Sequence, residues 1–348
     1  MIVWGSSMRP RIAIIHGEPA GIGPELIAKL LAQADVADHA DIVLVGDRHI
    51  FELGQRQAGT EWPIREIGVD DAEIWEKGDG YPLVPMETLT PEEVRPSEVT
   101  EAGGRASLRN LDRALDLTLA GYADAVLFGP FNKASLHLAG MDVEDEHRYM
   151  ARYMGFTGYH SEINMLDELI TTRVTSHIAL KDVVESIDQD GIVKAILLAN
   201  DTLQAAGVSR PRIGVAALNP HAGDNGNFGT EEIDILAPAV ESAREMQIDV
   251  NGPWPSDTVF LKGRDDLLDA VVTMYHDQGQ IAMKLMGFER GVTIAAGLPI
   301  PVATPAHGTA FDIAGKGIAN LGATRKAFDV LCRMAAHDHQ WQAVHPVA

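Results

Sequence analysis

Short runs of consecutive apolar residues alternate along the chain with longer stretches in which apolar residues recur every three or four positions. The first kind is typical of strands buried on both faces, and the second is typical of helices that pack one face onto a sheet. The predicted strands are residues 11–16, 41–46, 123–128, 212–218 and 269–275, and the predicted helices include residues 24–34 and 106–120. This alternation predicts an α/β protein with mostly parallel sheets that helices cover on both faces.

A proline-rich segment, residues 81–96, interrupts the pattern. Proline is poorly tolerated inside a central strand because it lacks the backbone N–H that pairs with a neighbouring strand. We therefore expect this segment to be an exposed excursion from the sheet.

Polar residues cluster directly after the predicted strands, at residues 17–25, 129–133, 219–224 and 276–279. The carboxyl ends of parallel strands meet at one edge of a sheet, which is where ligands usually bind in open α/β folds. We therefore expect these clusters to supply the active site.

The first cluster, residues 17–25, reads GEPAGIGPE. Gly21 and Gly23 would let backbone N–H groups approach a cofactor, and Pro24 suits the first turn of a helix whose N-terminus attracts anions. The spacing matches neither the Walker A motif nor the GxGxxG motif. A tight turn between strand and helix is therefore an equally simple interpretation.

His221 in NPHAGD and His276 in YHDQG each come just after a predicted apolar strand, and His177 in TSHIAL is a third histidine of this kind. Imidazoles from separate strand ends can share one divalent ion and leave coordination positions open for a substrate. A single histidine is more often structural. The recurrence of the same arrangement three times nevertheless predicts a metal site.

The segment after His221 leads into a predicted helix. Thr230 suits the N-cap position, and Glu231 and Glu232 would lie in the first turn, where acidic residues complement the helix dipole. We expect this helix start to hold the His221 loop in place.

Further candidates come from residues 305–320 and from three charged residues. The segment 305–320 reads PAHGTAFDIAGKGIAN, and its small residues would allow close approach of a flat ligand, although a glycine-rich connection is the alternative. Lys133 and Lys284 are scarce lysines in segments marked by glycine or proline, and surface exposure is their usual explanation. Asp257 follows GPWP, where a turn or a helix cap is also expected.

Composition narrows the functional classes. The chain has 348 residues and a net charge of -22, so it repels nucleic acid and anionic membranes. We see no apolar stretch of the length that spans a membrane. The single cysteine, Cys332, excludes disulfides within the chain and suits the reducing cytoplasm. We therefore expect a cytoplasmic protein whose partner is a small anionic molecule.

The motifs taken together resemble a known family. GEPAGIGPE, GPFNKASLHLAGM, LNPHAGDNGNFGTEE, MYHDQGQIAMKLMGF and HGTAFDIAGKG are similar to segments of the 4-hydroxythreonine-4-phosphate dehydrogenase family of vitamin B6 biosynthesis, from about residue 11 to residue 327. The last motif is also similar to a segment of isopropylmalate dehydrogenases. The resemblance implies a two-domain α/β/α fold of the isocitrate/isopropylmalate dehydrogenase type and a homodimer with shared active sites. We divide the chain into a cofactor-side domain, residues 1–130 and 295–348, and a metal, substrate and dimerisation domain, residues 131–294.

The resemblance also implies roles for individual residues. His177, His221 and His276 match ligands of one divalent ion, which would be zinc, cobalt, manganese or magnesium. Lys284 matches a substrate-binding lysine, and Asp257 matches an acidic residue that reaches a neighbouring active site.

The resemblance implies that NAD is the cofactor. The segment 305–320 would line its adenosine half, with His307, Gly308, Thr309 and Asn320 as contacts. NADP should bind less tightly, because this segment contains no arginine for a 2′-phosphate.

The chain departs from the family pattern around the substrate. Where the family has a His-Thr pair that holds the substrate, this chain offers His147 and Arg148 with a shift of one residue. The family's substrate-binding asparagine and arginine are here Thr293 and Val302. Loss of that arginine removes a bidentate anion partner, which Arg148 would restore from another direction.

We therefore predict the oxidation of a hydroxyl beside a carboxylate with NAD as the hydride acceptor, followed by decarboxylation. Asp257 or a metal-bound water is the candidate base, and Lys284 or Lys133 would neutralise the carboxylate or protonate the product.

Related alternatives are a sugar acid, its phosphate, or an aromatic cis-dihydrodiol carboxylate as substrate. An acyl-phosphate transferase would not need the three histidines. A non-catalytic metal- or NAD-dependent sensor would have no DNA-binding module to act through.

Overall fold

The residues described by the computed structural model are 9–67, 75, 79–167, 169–287 and 290–344. The chain divides into two compact units, which are Met1–Thr157 with Leu298–Ala348, and Gly158–Gly297. Among the described helices, none combines the length and the apolar character that crossing a membrane requires.

The sheet of the first unit is parallel in every strand pair described. In spatial order its strands are β3 (Ile64–Glu66), β4 (Tyr81–Pro85), β2 (Asp41–Gly46), β1 (Arg11–Ile15), β5 (Ala125–Phe128) and β12 (Val302–Pro305). The central strands β1, β2 and β5 are buried almost throughout. Burial on both faces explains why their sequences are continuous apolar runs.

Helices follow most strands of the first unit. They are α1 (Gly23–Leu31), α2 (Val36–His39), α3 (Arg48–Ala58), α4 (Glu101–Leu119), α5 (Lys133–Leu138), α6 (Glu146–Tyr153) and α12 (Gly322–Val344). Pro24 lies in the first turn of α1, as predicted. The helix α4 begins earlier than expected because the Thr100 side chain caps it, accepting a hydrogen bond from the Gly103 N–H at 3.0 Å.

The prediction of an exposed excursion at residues 81–96 is wrong for its first part. Residues 81–85 form β4, which pairs with β2 on one side and β3 on the other, and Leu83 and Val84 are buried. Pro82 and Pro85 lie near the two ends of this short strand, where a missing N–H disrupts few ladder hydrogen bonds.

The division after Thr157, rather than after residue 130, follows from the packing of α5 and α6. Leu136 and Met141 pack against Leu108 of α4, and Tyr149 of α6 is packed against the same cluster. These contacts join residues 131–157 to the first unit, and the chain returns to that unit at residue 298.

The second unit has a mixed sheet. In spatial order its strands are β11 (Val292–Ala296), β6 (Ser161–Leu166), β7 (Leu169–Arg173), β10 (Ala270–Thr273), β8 (Ile213–Ala216) and β9 (Val250–Trp254). The strands β7, β10, β8 and β9 are parallel, whereas β6 is antiparallel to both of its neighbours. The helices of this unit are α7 (Leu180–Ser186), α8 (Gln189–Ala205), α9 (Ala237–Glu245), α10 (Ser256–Arg264) and α11 (His276–Gly287).

The register of this sheet aligns three strand ends. Val271 of β10 pairs with Thr171 of β7 and with Gly214 of β8, so these parallel strands end at the same edge. The three predicted metal-binding histidines follow β7, β8 and β10 within a few residues. The carboxyl edge of the second unit is therefore the region in which a site could form.

Candidate active site

His177 and His276 line one pocket at the carboxyl edge of the second unit's sheet, with a volume of about 440 Å³. Their ring centroids lie 5.6 Å apart. Zinc–nitrogen bonds of about 2.0–2.1 Å in tetrahedral geometry would place the centroids of two zinc-bound imidazoles roughly 5 Å apart. The separation therefore fits two ligands of one divalent ion.

His221 lines a neighbouring pocket of about 300 Å³, together with Asp257 and Gln278. Tyr275 lines both pockets. Within the described ranges, the three histidines do not form a set whose ligand atoms all lie within 4.8 Å of one another. The structure thus brings two of the predicted ligands together and holds the third in the adjoining pocket.

Two of these histidines have left-handed backbone conformations. The φ angle is 48° at His177 and 54° at His221. Residues 222–225 continue the left-handed turn after His221. Such conformations cost roughly 1–2 kcal/mol for each residue that is not glycine, so surrounding contacts must hold them. They concentrate at functional sites, which supports a role for this edge.

Glu232 provides such contacts for the His221 loop. Its buried carboxylate accepts hydrogen bonds from the N–H groups of Leu218 and Asn219 at 2.9 and 2.7 Å. The Asn219 side chain donates to Glu232 at 2.9 Å and to Glu231 at 2.6 Å. The acidic pair therefore clamps the end of β8 from which the loop departs.

The expected N-cap at Thr230 is absent from the described hydrogen bonds. The segment begins as a π-helical turn, Glu232–Leu236, without a side-chain cap. Thr230 contributes its carbonyl instead, which accepts from the N–H groups of Ile233 and Asp234 at 2.9 and 2.8 Å. The loop is held by Glu232, because its carboxylate turns back to the strand end instead of facing the helix dipole.

His276 begins α11, and its Nδ1 lies 2.7 Å from the Asp277 carboxylate. A carboxylate at one ring nitrogen orients an imidazole and leaves the other nitrogen for a metal ion. This arrangement suits His276 as a ligand.

The predicted catalytic and substrate residues lie in several elements. Asp257 is exposed in the first turn of α10 and lines the His221 pocket. Lys284 is exposed in the last turn of α11, and Lys133 is exposed at the start of α5 in the first unit. Thr293, in β11, is half-buried, and its hydroxyl donates to the Asn164 side chain at 3.4 Å.

His147 and Arg148 lie in α6 of the first unit. His147 is buried, whereas 41% of the Arg148 side chain is exposed. The Arg148 guanidinium pairs with Glu144 and, at 3.1 Å, with Asp145. An anion would have to exchange with Glu144. Val302, which replaces the family arginine, is fully buried in β12.

The predicted cofactor loop, residues 305–320, is held to α1 by a partly buried ion pair. Lys29 donates to Glu25 at 2.7 Å and to the carbonyls of Gly317 and Ala319 at 3.0 and 2.8 Å. The Glu25 carboxylate accepts from the N–H groups of the same two loop residues at 3.2 and 2.8 Å. This double fastening fixes the backbone of the loop.

The outer part of this loop suits a flat ligand. Gly308 is exposed, and a Cβ added there would meet open space. His307 is bonded through Nδ1 to the Gly308 carbonyl at 3.1 Å. The Asn320 side chain accepts from the Gly322 N–H at 2.8 Å, at the start of α12, and Thr309 is buried.

Chain packing gives a reason for glycine at positions 21 and 23, and the cofactor contact expected there stays a prediction. Both are buried. A Cβ at Gly21 would lie 2.9 Å from Thr309, and one at Gly23 would lie 2.1 Å from the His16 carbonyl oxygen. The space beside each glycine is therefore occupied by the protein itself.

Two buried titratable residues, His16 and Glu18, lie shortly before these glycines. Burial lowers the pKa of His16 to about 4. Burial also raises the pKa of Glu18 to about 7, against a smaller opposing effect of the Ala20 N–H that Glu18 accepts.

The chain matches the family described as "Pyridoxal phosphate biosynthetic protein PdxA" over residues 38–331. It belongs to the PdxA family. A putative 4-hydroxythreonine-4-phosphate dehydrogenase 2 of Pseudomonas aeruginosa is 55% identical, over 94% of this chain and 98% of that protein. A D-threonate 4-phosphate dehydrogenase of Cupriavidus necator is 38% identical, over 95% of this chain and 100% of that protein.

Solved structures of several dehydrogenases have the same fold as this chain. The 4-hydroxythreonine-4-phosphate dehydrogenase of Klebsiella pneumoniae is 36% identical with a TM-score of 0.80, covering 95% of this chain and 100% of that one. A terephthalate 1,2-cis-dihydrodiol dehydrogenase of Burkholderia xenovorans is 28% identical with a TM-score of 0.67, covering 93% and 98%. A β-decarboxylating dehydrogenase of Thermococcus kodakarensis is 16% identical, covers 97% of this chain and 89% of that one, and shares the fold at a TM-score of 0.52. The predicted fold class is thereby confirmed.

In this PdxA-family chain, three residues that were not predicted for the site hold its segments in place: Gln278, Glu25 and Lys29. Glu25 and Lys29 join α1 to the predicted cofactor loop. Gln278 lies in the first turn of α11 beside His276 and bonds to Ala217. Gln278 lies inside the YHDQG motif and Glu25 ends the GEPAGIGPE motif, whereas Lys29 follows that motif by four residues. Their partners become evident only in the folded structure.

Proposed function

We propose that this PdxA-family protein is an NAD-dependent and divalent-metal-dependent dehydrogenase that oxidises a small phosphorylated hydroxy acid and then decarboxylates the product. The observation that carries the proposal is the pair of imidazoles of His177 and His276, whose centroids lie 5.6 Å apart in one pocket. Relatives named as dehydrogenases of 4-hydroxythreonine 4-phosphate and of D-threonate 4-phosphate support the reaction class.

His177, His276 and His221 would hold the divalent ion. A bound ion supplies Lewis acidity that lowers the pKa of a substrate hydroxyl. Asp257, an exposed carboxylate in the His221 pocket, would accept the hydroxyl proton. Lys284 would neutralise the substrate carboxylate or protonate the product.

NAD would bind against residues 307–320, where Gly308 leaves open space. Glu25 and Lys29 hold the backbone of that loop ready for the ligand. The absence of arginine from the loop supports a preference for NAD over NADP.

The replaced residues support a change of substrate preference. Val302 is buried and apolar, and the half-buried Thr293 donates to Asn164. Arg148 would contact the substrate anion after exchange with Glu144, which costs little because exposed ion pairs contribute roughly 0–1 kcal/mol. We therefore expect 4-hydroxythreonine 4-phosphate to be a poor substrate. An aromatic cis-dihydrodiol carboxylate is a second candidate, favoured by the similarity to the terephthalate dihydrodiol enzyme.

A homodimer with shared active sites is part of the proposal. Leu180, which lines the His177 pocket, is 69% exposed, and Leu285 in α11 is 84% exposed. These two side chains would lose exposed apolar surface if another chain packed on them, which would stabilise a dimer. Light scattering after size exclusion should give the mass of two chains, and a mass of one chain at micromolar concentration would count against the dimer.

The decisive experiment measures NADH formation with a panel of hydroxy acids. The panel contains 4-hydroxythreonine 4-phosphate, D-threonate 4-phosphate, their unphosphorylated forms and a terephthalate cis-dihydrodiol. Turnover should require a divalent ion and should be lost after chelation. His177→Ala and His276→Ala should abolish it, whereas His39→Ala, at a histidine of α2 in the first unit, should not. Metal-independent turnover, or no turnover of any hydroxy acid, would contradict the proposal.

A further inference from the structure

Gln278 lies in the first turn of α11, two residues after His276. Its side-chain oxygen accepts a hydrogen bond from the Met274 N–H at 2.7 Å, which closes the turn between β10 and α11. Its amide nitrogen donates to the Ala217 carbonyl at 2.7 Å and to the Ser256 hydroxyl at 3.0 Å. Both N–H groups of the amide are therefore used within the protein.

These bonds join three segments at one point. Ala217 directly follows β8 and precedes the loop that carries His221, while Ser256 begins α10 and precedes Asp257. The Ser256 hydroxyl also donates to the Ala217 carbonyl at 2.6 Å. The Gln278 side chain thus connects its own segment, which begins with His276, to the segments that carry His221 and Asp257.

The segment of His177, the third predicted ligand, is connected through Met274, which directly follows β10. The Thr175 hydroxyl, two residues before His177, donates to the Met274 carbonyl at 2.7 Å. The Met274 N–H is bonded to Gln278. Both polar backbone groups of Met274 are therefore bonded, the carbonyl to the segment of His177 and the N–H to Gln278.

We propose that Gln278 is a positioning residue of the metal centre, which sets the His276 segment against the segments that carry His221 and Asp257. This inference rests on the proposed function, since it assumes that the histidines bind a metal ion. Its physical basis is preorganisation: ligands held in place before binding spare the ion the cost of ordering them. Partners that orient metal ligands typically change metal affinity by about 10–100-fold when they are removed.

The test compares Gln278→Leu with Gln280→Leu. Both glutamines lie in α11, and Gln280 is only 8% exposed but forms none of the three bridging bonds. Cobalt(II) is titrated into metal-free protein and followed by calorimetry and by visible absorption. Gln278→Leu should bind cobalt roughly 10–100-fold more weakly than the unmodified protein and show an altered absorption spectrum, whereas Gln280→Leu should stay within about threefold.

A second variant, Gln278→Glu, keeps the test decisive if Gln278→Leu does not fold. Gln278→Glu keeps the acceptor for the Met274 N–H but places a carboxylate oxygen against the Ala217 carbonyl, so it should also weaken cobalt binding. Urea unfolding of the metal-free variants shows whether each one folds. If Gln278→Leu does not fold, the cobalt affinity of Gln278→Glu decides the question.

The outcomes separate the two proposals. Unchanged cobalt affinity and spectrum in a folded Gln278 variant, beside normal binding by the unmodified protein, would overturn the positioning role alone. No cobalt binding by the unmodified protein would overturn both the metal-dependent function and the role of Gln278.

Discussion

The clamp on the His221 loop can be tested by Glu232→Gln. The carboxylate accepts from two backbone N–H groups and from the Asn219 amide. A glutamine has one side-chain oxygen, so in either orientation its NH₂ group must face at least one of these donors. Hydrogen bonds to charged groups contribute about 1.5–3 kcal/mol each. Loss of one such bond should therefore cost about 2 kcal/mol, or roughly a thirtyfold change in an equilibrium constant.

Two measurements show whether the lost hydrogen bond lowers the metal affinity or the stability of the protein. If the loop can detach while the protein stays folded, the affinity for cobalt(II) should fall by up to about thirtyfold. If it cannot, the free energy of unfolding in urea should fall by about 2 kcal/mol. Glu231→Gln is the matched control, because Glu231 is more exposed than Glu232. Among the described hydrogen bonds it accepts one from the Asn219 side chain at 2.6 Å and none from the backbone at the strand end. Its effect should stay below about 1 kcal/mol. Equal stabilities and equal cobalt affinities for Glu232→Gln and the unmodified protein would refute the clamp.

Three further predictions concern the first unit. Burial raises the pKa of Glu18 from 4.5 to about 7, so ionisation of Glu18 destabilises the folded state as the pH rises through this interval. Glu18→Gln should therefore leave the unfolding free energy unchanged at pH 4 and raise it by about 3 kcal/mol at pH 8, and a gain independent of pH would contradict this. Lys29→Met should weaken NAD binding about tenfold in a fluorescence titration without changing cobalt affinity, because Lys29 and Glu25 hold the predicted cofactor loop. Arg148→Ala should raise the Michaelis constant of the best substrate at least about tenfold, and Glu144→Gln should lower it; normal kinetics in both variants would show that Arg148 contacts no substrate.

Local patterns in the sequence were sufficient for several of the strands that are buried on both faces. The sequences of β1, β2 and β5 predicted strands because a strand buried on both faces is apolar at nearly every position, which gives a short continuous apolar run. The strand β4 was missed because Pro82 and Pro85 in so short a segment indicate a loop. Pairing on both sides outweighed that local signal, which is a tertiary effect.

The placement of α5 and α6 shows a similar limit. Their amphipathic sequences predict helices, but which unit they join depends on Leu136 and Met141 finding Leu108 of α4. An apolar face specifies that a helix will pack and leaves open the surface on which it packs. The predicted boundary after residue 130 therefore differs from the division after Thr157.

Residues that bind and residues that position leave different traces in a sequence. A candidate ligand such as His276 can be singled out in the sequence, because imidazole is a common metal ligand and this one follows an apolar strand. Gln278 is recognisable only through its partners, since an amide in a first helical turn is ordinary until Ala217 and Ser256 are found beside it. Gly23 is ambiguous for the same reason: absence of a side chain admits a ligand or another part of the chain equally, and here the His16 carbonyl occupies the space. Sequence patterns therefore indicate which side chains could bind a ligand, whereas the geometry that brings them together depends on residues whose partners come from distant segments.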